Sequence, residues 1–223
     1  MAIRAAIFDV DGTLIDSVDL HAKAWQQALR DFGKEVAWQD IRSQIGKGGD
    51  QIVPLYFNQA ETQRIEKDLK EHEKQVYRSQ YLQQARPFPG VREMFQRIRE
   101  AGVRIALATS SPQLELHYNK DLAKIADLVD AESNAEDAEK SKPHPDIFQV
   151  VLARLGGIQP AECVAIGDSP YDAEAAGKAG IPAIGFLAGG FSEDWLRKAG
   201  CIRVYEGPED LLRHFDESLF VSG

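Results

Sequence analysis

The first apolar run, Arg4-Ala5-Ala6-Ile7-Phe8, is short, rich in strand formers and ends abruptly at Asp9. It predicts a buried strand. Over residues 19–32 the period changes: Leu20, Ala24, Ala28 and Phe32 share one helical face, and Gly33 stops the helix. Three more helical segments follow, roughly 39–45, 50–57 and 61–84. The last is very polar, and its narrow stripe of Ile65, Leu69 and Val76 predicts a surface helix. No strand pattern interrupts residues 18–84. Two prolines and a glycine, Pro87, Pro89 and Gly90, then break the chain.

Beyond the break, helix and strand alternate. Helix 91–101 is stopped by Gly102 and leads to a near-continuous apolar strand over 103–108. Helix 113–125 precedes a short run, 127–130, and the acidic stretch 132–139 predicts a solvated loop. Helix 145–155, strand 163–166, helix 171–179 and short strands at 183–186 and 202–205 complete the pattern, with helices between and after them. Apolar strands alternating with helices predict an α/β fold, a doubly wound parallel sheet covered on both faces. Residues 18–85 form an inserted all-helical cap, and 1–17 with 86–223 form the core domain. There is no internal repeat.

At 223 residues the chain can bury a substantial core. Its net charge is −9, from 26 basic and 35 acidic residues, with no basic block. That disfavours nucleic acid or an anionic membrane as partner. An anionic substrate would need a local cation. Cys163 and Cys201 lie far apart without metal-site spacing, which fits a reducing compartment. No run resembles a signal peptide or reaches the length of a membrane span, so the expected location is cytoplasmic.

Ligands of open parallel sheets bind outside the carboxyl ends of the strands. Four polar clusters fall there. Asp9 and Asp11, two apart on an extended chain, project together, and Gly12 permits a tight turn before Thr13. Paired carboxylates repel and call for a shared proton or a cation. Thr109-Ser110-Ser111 follows the strand at 103–108; Gly167-Asp168-Ser169-Pro170-Tyr171-Asp172 follows that at 163–166; Ser141-Lys142-Pro143 lies between. Singly each has a plain explanation: an acidic turn, helix caps at Thr109–Ser111 and Ser169, a solvated lysine.

Together they resemble the haloacid dehalogenase superfamily, in the subfamily with a helical cap after the first motif. Asp9-Val10-Asp11-Gly12-Thr13 matches its first motif, Thr109 the second, Lys142 the third and Gly167 to Asp172 the fourth, across essentially the whole chain. The resemblance implies a magnesium-dependent phosphatase for a small phosphorylated metabolite. Asp9 would be the nucleophile and Asp11 the acid and then the base. Mg²⁺ would be held by Asp9, the Asp11 backbone carbonyl and Asp168, with Asp172 close by. Thr109 and Lys142 would hold the phosphoryl oxygens. Substrate contacts are expected from Gly12, Thr13, Ser110 and Ser111 in the core and from His21 and Lys47 in the cap. For Lys47 a solvated loop charge is an equal alternative, and Trp25 reads as packing. A sugar-phosphate mutase is the second reading, but relatives of that kind tend to carry valine where Thr13 stands and an arginine where Asp50 stands. A phosphoacceptor without turnover is the third. The chain is expected to act as a monomer or small homo-oligomer.

Overall fold

The computed structural model describes residues 2–221. Strand β1 (Ala5–Phe8) leads through β2 (Ile15–Asp16) into four helices, α1 (Val18–Asp31), α2 (Trp38–Arg42), α3 (Gly49–Tyr56) and α4 (Gln59–Val76). The helix expected over 39–45 stops at Arg42, leaving residues 43–48 as a loop. That expected over 61–84 stops at Val76; Tyr77–Tyr81 continues as a π turn and Leu82–Gln84 as a 3₁₀ turn. Then β3 (Arg86–Pro87) pairs antiparallel with β2, so the exit from the core and the return form one short ribbon.

The alternating half follows: α5 (Val91–Glu100), β4 (Arg104–Ala108), α6 (Gln113–Ala123), β5 (Ala131–Ser133), α7 (Asp146–Leu155), β6 (Cys163–Gly167), α8 (Pro170–Lys178), β7 (Ala183–Phe186), α9 (Glu193–Lys198), β8 (Cys201–Tyr205) and α10 (Pro208–Arg213). Six strands form one parallel sheet in the order β5-β4-β1-β6-β7-β8. One expectation is corrected: the acidic stretch is not all loop, because Ala131–Ser133 pairs with β4 as an edge strand. Three residues are too few to show a period, and an edge position tolerates Glu132.

The period-2 alternation sorts β1 between two cores. Ala6 and Phe8 pack with Ile105, Leu107, Val164, Phe95 and Leu211 on one face. Ala5 and Ile7 pack with Ala106, Ala165, Ile147, Val151 and Leu196 on the other. The inserted helices have a cluster of their own, including Val18, Trp25, Leu29, Ile41, Ile52 and Leu69. β1 therefore sits mid-sheet, buried on both faces, and its carboxyl end opens beneath the helical insertion.

Candidate active site

Asp9 continues the ladder of β1: its N–H donates to the Ile166 carbonyl at 2.9 Å, which aims the side chain from the strand end. The chain then turns at Gly12, whose φ of +86° favours glycine, and a Cβ there would overlap the Asp168 carboxylate. Thr13, fully buried, donates its hydroxyl to Asp168 Oδ1 at 3.0 Å, and the same oxygen lies 3.4 Å from Asp9 Oδ2. It therefore aligns two carboxylates from below.

Asp9, Asp168 and Asp172 are all buried and each offers an oxygen within 4.8 Å of the others. Lys142, only 1% exposed, is clamped among them. Its Nζ donates to Asp9 Oδ1 at 2.6 Å and the Ala108 carbonyl at 2.8 Å, and lies 2.8 Å from Asp172 Oδ1. Two of the ammonium's protons are thereby engaged, and the charge is shared with Asp172. Asp172 has a second duty, accepting the Ser169 N–H and hydroxyl at the start of α8 while Ser169 caps that helix. Three carboxylates against one ammonium leave excess negative charge. Burial pushes the Asp9 carboxyl up to about 7, against the pull of Lys142 and with the help of Asp172 and Asp11. Burial, Asp172 and Asp9 also push Asp168 well above the ordinary carboxylate value.

Asp11 is treated differently. Ser111 donates to its Oδ2 at 2.6 Å and Ser17 to its Oδ1 at 2.7 Å, and His21 Nε2 lies 3.3 Å from Oδ1. Burial would raise this carboxyl, but the His21 charge and these hydrogen bonds outweigh it and bring it down to about 2. His21 is correspondingly raised to about 10: burial opposes its charge, and Asp11 with Glu73 more than compensates. The imidazole lies flat on the Tyr77 ring, with centroids 3.8 Å apart. Two carboxylates from one strand end thus have opposite environments.

A cavity of about 170 Å³ opens between this rim and the insertion. Asp9, Asp11, Thr109, Ser110, Ser111, His21, Trp25 and Lys47 line it, as does the 46–50 loop. Gly12, Thr13, Lys142, Asp168 and Asp172 lie outside the wall, underneath it. Trp25 belongs both to the wall and to the apolar cluster of the insertion. Lys47 is held by Gln44 Oε1 at 2.6 Å and sits 4.6 Å over the Tyr171 ring. Sequence reasoning did not single out Lys70, Glu73, Lys74, Glu115 or Glu136, which also line the cavity. They sit on stretches whose polar pattern reads as solvated surface, and no local signal marks them.

The insertion is tied down around the cavity. The Tyr171 hydroxyl donates to the Ser43 carbonyl at 2.7 Å, Arg42 to the Gly189 carbonyl at 2.7 Å, and the Ser141 N–H to Asp50 Oδ2 at 3.1 Å. Gly46, at φ +107°, comes so close that a Cβ would stand 2.7 Å from Ser169 Oγ.

A family model described as haloacid dehalogenase-like hydrolase matches residues 3–180. The chain belongs to that family. It is 30% identical to a phosphorylated carbohydrates phosphatase from Thermotoga maritima, over 97% of this chain and 100% of the relative. It is 32% identical to hexitol phosphatase B from Escherichia coli K12, over 75% and 76% of the two chains. The crystal structure of a hydrolase from Pseudomonas syringae superposes with a TM-score of 0.85, at 31% identity over 96% and 98%. This chain is accordingly a hydrolase. Haloacid dehalogenase-like hydrolases generally use a divalent metal, and the buried Asp9, Asp168 and Asp172 suit one: hard oxygen donors carrying a charge that Lys142 alone does not balance. No helix among the described residues is long and apolar enough to cross a membrane.

Proposed function

We propose that this haloacid dehalogenase-like hydrolase is a magnesium-dependent phosphatase that hydrolyses a small phosphomonoester through an aspartyl phosphate on Asp9. The reading is carried by one observation: Asp9, backed by Lys142, and Asp11, held by Ser17, Ser111 and His21, face a single cavity. An Asp9 carboxylate oxygen attacks phosphorus as the bond from phosphorus to the ester oxygen breaks. Asp11 relays to the departing oxygen a proton from the His21 imidazolium, 3.3 Å from its Oδ1, and so returns to the carboxylate. As a carboxylate it then takes a proton from water, whose oxygen attacks phosphorus, frees inorganic phosphate and restores Asp9. His21, Ser17 and Ser111 hold the Asp11 carboxylate in the form this second step requires. Thr109, on the cavity wall, is placed to bind a phosphoryl oxygen, and Lys142 orients Asp9 from beneath.

Asp9, Asp168 and Asp172, with the Asp11 backbone carbonyl, would hold Mg²⁺, which when bound offsets repulsion between carboxylate and phosphate. The test is phosphate release from a panel of phosphometabolites with Mg²⁺, with chelator, and with Asp9→Asn. Release that needs Mg²⁺ and Asp9 supports the reading. Interconversion of sugar-phosphate isomers without release overturns it in favour of a mutase.

A further inference from the structure

One wall of the cavity carries polar groups that the proposed chemistry does not use. Glu73, from the last turn of α4, is 7% exposed, and Glu115, from the first turn of α6, is 2% exposed; both line the cavity. Arg78, on the π turn, donates to Glu115 Oε1 at 3.0 Å. Among the described residues Glu73 Oε1 has no hydrogen-bond partner; His21 Nδ1, at 3.8 Å, is too far to donate. Ser110 Oγ, on the same cavity, is also buried and unpartnered. A buried acceptor without a donor is costly, so a ligand that fills this wall must supply donors.

We propose that Glu73, Glu115 and Ser110 form a hydroxyl-reading subsite that selects phosphate esters of neutral polyols over phosphate esters of hydroxycarboxylic acids. The proposal rests on the phosphatase reading above and names its substrate class. Hydroxyl groups donate to Glu73 Oε1 and accept from Ser110, whereas a substrate carboxylate directed there offers acceptors only and leaves Glu73 Oε1 unpaired. The cap's cations do not reverse this. Lys47 is engaged by Gln44, and Lys70 by Glu66 at 3.2 Å. Lys74 and the His21 imidazolium, both on the wall, are the groups that would favour an acidic ligand.

The discriminating experiment compares kcat/KM for a hexitol phosphate and for phosphoglycolate in wild type, Glu73→Gln and Glu115→Gln. Wild type should prefer the hexitol phosphate by at least about tenfold. Glu73→Gln should cut that preference by about ten- to a hundredfold, the weight of a hydrogen bond to a charged acceptor. A wild-type preference for phosphoglycolate that disappears in Lys74→Met assigns the wall to anion binding and overturns the proposal. So does an unchanged ratio in both glutamine variants. Binding to Asp9→Asn, read as the rise in Tm at equal ligand concentration, decides the matter independently of turnover. A larger rise with the hexitol phosphate supports the subsite, and an equal or smaller one overturns it. Absence of phosphate release by wild type would fell the phosphatase reading, while the Tm comparison still judges the subsite.

Discussion

Asp50, in the first turn of α3, accepts the backbone N–H of Ser141 at 3.1 Å across 91 positions of chain. Ser141 immediately precedes Lys142, the residue clamped between Asp9 and Asp172. The seating of the insertion is thereby linked mechanically to the loop that orients the nucleophile. Asp50→Ala should lower kcat/KM about tenfold or more, the scale of one hydrogen bond to a charged acceptor. Asp50→Asn, which can still accept from Ser141, should recover part of the loss. Steady-state kinetics check both, and two variants indistinguishable from wild type would break the link.

Lys142→Met should be among the most damaging substitutions for stability. It leaves Asp9, Asp168 and Asp172 buried without their compensating charge, and breaking a buried pair from one side costs about 3–5 kcal/mol. Denaturant midpoints without metal at pH 7.5 give the number. The deficit should shrink at pH 5, where Asp9 is protonated. A pH-independent deficit would mean that packing, not charge, is what Lys142 supplies.

Asp9→Asn and Asp11→Asn should fail at different steps. Asp9→Asn removes one of the mutually repelling acids, so metal-free Tm at pH 7.5 should hold or rise while phosphate release disappears. Asp11→Asn loses the base for the second step, so it should accumulate acid-stable, hydroxylamine-sensitive phosphoenzyme. Trapping with labelled substrate distinguishes them. Wild-type turnover by Asp11→Asn would remove it from proton transfer.

The metal-free protein should lose stability as pH rises. The Asp9 carboxyl goes from an ordinary 3.8 to about 7 on folding, and Asp168 is raised as well. Across that interval the folded chain binds more protons than the unfolded one, so unfolding free energy falls with increasing pH. His21, raised to about 10, extends the decline above 6.5. Mg²⁺ requires deprotonated ligands, so its effect on Tm should be larger at pH 8 than at pH 5. Equal shifts at both would exclude these carboxylates as its site.

Short-range chemistry made much of this molecule readable. An apolar run ending in Asp9-Val10-Asp11-Gly12 specifies a strand, two projecting acids and a turn that only glycine enters easily, because neighbouring residues impose those constraints on each other. The same holds for Ser169 with Asp172, a cap and its reciprocal acid one helical turn apart. The order of the main helices and strands followed from the alternation of 3.6-period stretches with short continuous apolar runs. The edge strand at Ala131–Ser133 escaped, since three residues carry no period and their partner, β4, lies more than twenty positions away.

What tertiary structure alone decided is the company each charge keeps. Lys142 taken singly reads as a solvated lysine, and its motif match places it only at the phosphoryl group; that it pairs with Asp9, 133 positions earlier and 2.6 Å away, is seen only in the fold. Glu73 and Glu115 read as solvated faces of two polar helices until the insertion closes over α6 and Arg78 joins it. Strand, turn and cap are set by sterics within a few bonds. Burial and pairing of charge depend on distances between remote segments, and those exist only once the helical insertion is seated on the sheet.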